Sequence, residues 1–174
     1  LLRLQDSRYR LFIKGKRPED FAWMANRPEE MAYYEEQYGR IETDPLLEGA
    51  VTFDEQGDDM ADWYRKIGIV LSVSDFESFH LTLPDGAASG AMPVSLAWAG
   101  ADQIYPTTWL HSDVIEMADR ILETTTDSAT WKAAALAAQE FVVSHMNAAD
   151  ILTELCSVIT GSDGAEGGNG YERP

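Results

Sequence analysis

Gly68-Ile-Val-Leu-Ser-Val-Ser-Asp-Phe-Glu-Ser-Phe-His-Leu-Thr-Leu-Pro-Asp-Gly-Ala-Ala-Ser-Gly-Ala-Met-Pro-Val94 joins two short apolar runs through a polar loop and a segment of small residues. The first run, 68–74, is almost continuously apolar, as a strand covered on both faces should be. The segment after the loop reads as a short helix with Pro84 in its first turn, where a missing N–H costs nothing. Strand, loop, helix, strand is the unit with which α/β proteins hold ligands at the carboxyl end of a parallel sheet. Ser72 and Ser74 are small enough to let a ligand approach the backbone. The helix start offers unpaired N–H groups and a partial positive charge, which suits an anion. Glu77 and Asp85 flank that start. A carboxylate binds phosphate poorly but accepts hydrogen bonds from hydroxyls. The order acid, amide cluster, acid therefore matches sugar, phosphate, sugar.

Working outward, 9–14 alternates and is β-rich, a strand ended by Lys14-Gly15-Lys16. Arg17-Pro18-Glu19-Asp20 is a helix-start pattern, and Arg27-Pro28 breaks that helix. A second helix is expected over 29–39 with Gly39 as its C-cap. A strand follows at 49–53, a helix at 58–67, the strand 68–74 and another at 94–98; a fifth is expected at 101–104. From Leu110 the chain reads as helical, with segments over 113–122, 127–145 and 148–159. Ser112 or Asp113 caps the first of these and Asn147 the last. Residues 1–160 form one α/β domain, a Rossmann-like parallel sheet with helices on both faces, and 161–174 reads as a disordered tail. Trp and Met at helical spacing are assigned to the core, and Cys156 to a buried, inert site. His111 and His145 have no partners at metal-ligand spacing and read as surface or packing residues.

The chain has 174 residues and a net charge of −17, from 13 Lys plus Arg against 30 Asp plus Glu. That field repels nucleic-acid backbones and anionic membranes, so neither is an expected partner. A single cysteine rules out an internal disulfide framework and fits a reducing, cytoplasmic setting. No apolar run is long enough to span a membrane. No metal or cofactor is expected. The sequence starts at Leu1 in mid-pattern, and Leu1, Leu2 and Leu4 read as the last turn of a helix; it is expected to be a piece of a longer protein with its first strand upstream.

The motif Ser72-x-Ser74-x-x-Glu77-x-Phe79, with Asp85, Ala87-Ala88-x-Gly90 and Pro93-Val94 beyond it, resembles the donor-site signature of retaining GT-B glycosyltransferases of group 1. Phe12-Ile-Lys-Gly15 is similar to that family's second strand and glycine turn, and Gly100-Ala-Asp-Gln-Ile104 to its Gly-x-x-Glu-Ile turn. The resemblance implies the C-terminal, donor-binding half of a GT-B fold without its first strand. The reaction implied is transfer of a sugar from a nucleotide-diphosphate donor to an acceptor, with the partner domain elsewhere in the same protein. It implies Glu77 as the catalytic-site acid beside the donor sugar, with Phe79, His80, Leu81 and Thr82 meeting sugar and diphosphate and Asp85 meeting the ribose. Lys14 and Lys16, at a strand end, are further substrate-binding candidates. Asp85 stands where the family has Glu, His80 where it has Gly, and the family's Arg and Lys for the leaving diphosphate would lie before Leu1. The isolated piece is expected to transfer little or no sugar. Related architectures also serve sugar-nucleotide epimerases and hydrolases, and a domain of this kind can act as a non-catalytic partner-binding module.

Overall fold

The computed structural model describes residues 1–161; the expected tail beyond Gly161 lies outside them. Leu2–Gln5 forms a single helical turn, α1. It leads to strand β1, Leu11–Lys14. Two 3-10 turns, Pro18–Asp20 and Ala22–Asn26, precede helix α2, Pro28–Thr43. Then come β2 (Val51–Asp54), α3 (Met60–Tyr64), β3 (Ile69–Ser72), α4 (Thr82–Ala88) and β4 (Met92–Leu96). The two-residue strand β5, Leu110–His111, and three helices complete the chain: α5 (Val114–Thr125), α6 (Ser128–His145) and α7 (Ala148–Thr160).

The fold is mixed α/β and every strand pairing is parallel, as expected, but the strands form two sheets instead of one. β1 pairs with β2, Leu11 opposite Val51, and β3–β4–β5 form the other sheet, with Ile69 opposite Met92 and Ser95 opposite Leu110. Among the described residues no strand lies between the two.

The register of the three-stranded sheet explains its two cores. In-register residues share a face and successive residues alternate. Ile69, Met92, Val94 and Leu96 therefore share one face, where they pack with Met117 and Ile121 of α5. Val70 points the other way and packs with Leu83 and Ala87 of α4. α6 joins both clusters, giving Ala135 to the first and Ala138 and Val142 to the second. Helices thus cover both faces of this sheet. The tightest contact is that of α4 on β3: a Cβ added at Gly86 would sit 2.7 Å from Val70 Cβ.

Several boundaries differ from those read in the sequence. α2 continues through Gly39 to Thr43, and the Asp44 N–H caps it by donating to Arg40 O. Residues 101–103 form a 3-10 turn and not a strand, because Gly100 at φ 90° turns the chain and Tyr105 N–H closes back on Ala101 O at 2.8 Å. The fifth strand is Leu110–His111 instead, where the reading was helical; Ala97 N–H donates to His111 O at 2.8 Å. Pro93 lies inside β4 although a proline cannot donate to a ladder. Met92 N–H donates toward β3 at Gly68 O, so the Pro93 nitrogen faces the opposite side, and β5 begins only opposite Ser95. Trp23 is 52% exposed and Cys156 is exposed, neither belonging to a core. Met24 and Met117, at helical spacing, are buried as expected, and Trp98, Trp109 and Met92 are buried as well.

The caps are local and match the sequence. Asp113 Oδ1 accepts from Ile115 N–H and Glu116 N–H at 2.8 and 2.9 Å, and Glu116 Oε2 accepts from Ser112 N–H in return. Asp127 caps α6 and Asn147 caps α7. Hydrogen bonds from the backbone N–H groups of Ala129 and Thr130 hold the Asp127 carboxyl below its ordinary 3.8.

Two predictions follow from these contacts. Gly86→Ala should cost about 1–3 kcal/mol in a denaturant titration, because Val70 Cβ is fixed to backbone and cannot swing aside. Asp127→Ala should lower the melting temperature by about 2–4 °C at pH 7. Since its folded pKa is depressed, the Asp127 contribution is present above the unfolded value and lost as pH falls through the folded one. The difference between variant and native protein should therefore close as pH falls below the ordinary carboxylate value of about 3.8.

Candidate functional site

The loop between β3 and α4 leaves the carboxyl end of the sheet and is held by an inward-turned histidine. His80 Nδ1 lies 2.9 Å from Glu77 Oε1 and 3.4 Å from Ser72 Oγ, with only 14% of the His80 side chain exposed. One ring nitrogen serves both neighbours, and the shorter distance makes Glu77 the partner of its proton. The arrangement is not a Ser-His-acid relay, which needs the acid and the hydroxyl on different ring nitrogens. His80 instead fixes Glu77 by one carboxylate oxygen and leaves Oε2 for a ligand hydroxyl.

The His80 ring packs near Trp98, 6.1 Å between centroids. Contacts then run from Trp98 to Tyr105 (6.0 Å), Trp109 (5.4 Å), Phe141 (5.4 Å) and His145 (4.4 Å). Tyr105 also donates its hydroxyl to His80 O at 3.2 Å, tying the loop to the segment after β4. Burial, with the Asp85 charge adding to it, pushes the Tyr105 phenol up to about 12. Tyr64, whose phenol is also raised by burial, hydrogen-bonds Thr82 at the start of α4.

The structure brings Glu77, Phe79, His80, Leu81, Thr82 and Asp85 into one place. Phe79 and Leu81 are exposed, at 45% and 62%, and Asp85 is exposed in the first turn of α4. Among the described residues, the backbone N–H groups of Phe79, His80, Leu81 and Thr82 donate to no protein acceptor. The His80 side chain turns in toward Ser72 and Trp98. The sequence carries no Lys or Arg from Ile67 to Asp119, so the loop has amide donors but no cation of its own.

The two lysines do not join this group. Lys14 Nζ donates to Glu55 O at 2.8 Å and pairs with Asp59 at 2.9 Å, and only 6% of its side chain is exposed. Its charge is spent on holding the loop after β2 against β1. Lys16 lies over the Phe21 ring at 5.9 Å. Lys14 instead borders a separate cavity of about 490 Å³, with Phe12, Asp54, Trp63, Lys66 and Ile67 around it. Trp63 Nε1 donates there to Asp54 Oδ2 at 2.7 Å.

Two residues carry weight that sequence reading did not assign. Tyr105 follows the strand expected at 101–104, and the aromatic spacing Trp98, Tyr105, Trp109 is the signal that marks it as core. His111 sits on β5 with a buried Nε2 that has no partner, and desolvation lowers its pKa. Among the described residues no three His, Cys, Asp or Glu side chains gather in metal-ligating geometry, and no helix is long and apolar enough to cross a membrane.

Comparison with protein-family models, with curated proteins and with solved structures gives no match to this chain.

Tyr105→Phe should destabilise the protein by about 1 kcal/mol through the lost hydrogen bond. In the native protein the phenol ionises later than in the unfolded chain. Its contribution is thus complete below pH 10 and is lost as pH rises from 10 toward about 12. A stability profile across that range, native against Tyr105→Phe, should show the steeper alkaline fall for the native protein.

Proposed function

We propose that this chain is the donor-binding part of a retaining glycosyltransferase, taking the nucleotide-diphosphate sugar in the loop between β3 and α4. The observation that carries the reading is the pairing of a fixed, half-free carboxylate with open amides. Glu77 is held by His80 at 2.9 Å, next to N–H groups of Phe79 to Thr82 that have no protein acceptor. A sugar hydroxyl fits the first and a diphosphate oxygen the second. Asp85 is exposed in the first turn of α4, and in this reading it accepts from a ribose hydroxyl. The site lies at the carboxyl end of a parallel sheet, where α/β folds bind ligands. The separation of β1–β2 from β3–β4–β5 supports the GT-B resemblance, which leaves room for one more parallel strand between them.

On this reading transfer rests on positioning the donor and stabilising the departing diphosphate. Glu77 orients the sugar through its hydroxyls, and the amides take part of the diphosphate charge. The remaining charge needs a cation, and none lies between Ile67 and Asp119. In this proposal the cation and the acceptor come from another domain of the same protein. That same lack of a cation, with Lys14 already paired to Asp59, favours a second reading in which the domain binds partners and does no chemistry.

Titration of the protein with UDP-, GDP- and ADP-sugars, followed by amide NMR, tests the proposal. One of the three should shift the amides of residues 77–85, and Glu77→Gln should weaken its binding about tenfold, as loss of a hydrogen bond to a charged acceptor would. No shift with any donor in the full-length protein would sink the idea. Donor binding without sugar release in the full-length protein would favour the second reading.

A further inference from the structure

α7 follows α6 after the Asn147 cap and buries none of its residues. Its apolar side chains are nonetheless large and aligned. At about 100° per residue, Val158, Ile151, Leu155, Ile159 and Leu152 fill one continuous arc. They are 61%, 50%, 50%, 74% and 59% exposed. On the outer surface of α6, Val143 and Leu136 are exposed in the same way. An isolated helix of this length is marginal in water, and an apolar stripe stabilises it only when something covers that stripe.

Charge decides what the cover is. Asp150 and Glu154 are four residues apart and form an acidic ledge along the side of the stripe that carries Val158 and Ile151. Among the described residues neither has an ion-pair partner. From Ala133 to Thr160 the sequence holds Glu140, Asp150 and Glu154 and no Lys or Arg. A second copy would bring the same ledge, on a chain of net −17, against this one. An anionic membrane surface is repelled for the same reason.

We propose that α7 docks an amphipathic helix of a partner protein that lays apolar side chains on the stripe and lysine or arginine along the ledge. The surface is independent of the donor loop, so either reading can fail alone.

The test uses two synthetic 18-residue helical peptides with the same leucine face, one edged with lysine and one with glutamate. Binding to the whole chain is read by fluorescence anisotropy at physiological salt. The native protein should prefer the lysine peptide by about tenfold or more. Leu152→Ser with Leu155→Ser should abolish that binding. These residues are half-exposed, so the substitutions leave the core intact. Asp150→Lys with Glu154→Lys should reverse the preference even though the protein keeps a strongly negative net charge. A preference unchanged by that swap would mean attraction to the whole molecule and would overturn the proposal. So would sedimentation as a dimer that the double serine variant returns to monomer.

Discussion

The contact between α4 and β3 is the constraint on which the rest of the site depends. Gly86 has no Cβ, and Val70 occupies the space where one would be. Because the helix lies this close, Leu83 and Ala87 reach the same core as Val70, and all three are nearly or fully buried. The loop that must connect Ser72 to Thr82 is therefore anchored at both ends. His80 then fills the space below it, against Ser72 and Trp98. A wider helix–sheet spacing would leave that ring without packing and Glu77 without a fixed partner.

What the sequence revealed and what it concealed divide along the range of the forces involved. Asp113 and Asn147 were legible as caps because a cap bonds N–H groups only two or three residues away. The strand before Ser72 was legible because burial on both faces leaves an unbroken apolar run. β5 was not, since Leu110 and His111 are extended only because Ser95, Leu96 and Ala97 offer an edge. The division into two sheets was equally hidden: alternation identifies a strand and says nothing about its neighbour. Cys156 shows the same limit in a helix, where periodicity marks an apolar face without showing whether anything packs on it.

Within the site, the order Glu77, open amides, Asp85 could be read in advance because it follows chain order at a helix start. The inward turn of His80 could not. It is set by Ser72, Trp98 and the Tyr105 hydroxyl, which come from three separate parts of the chain. Lys14 reads in sequence as a free strand-end cation, and its burial depends on Glu55 and Asp59, some forty residues on. Local patterns thus located the loop, while long-range packing determined which of its side chains remain available.

Pro93 has one more consequence. A parallel edge grows by offering an N–H and a C=O in turn, and an exposed edge that offers both invites strands from other molecules. On the β5 side of β4 the first such donor would be at position 93, where the nitrogen carries a ring instead of a hydrogen. β5 pairs with β4 only from Ser95 onward. Pro93 is itself buried, and with no N–H it leaves no unpaired donor on that side of β4 where no strand lies alongside.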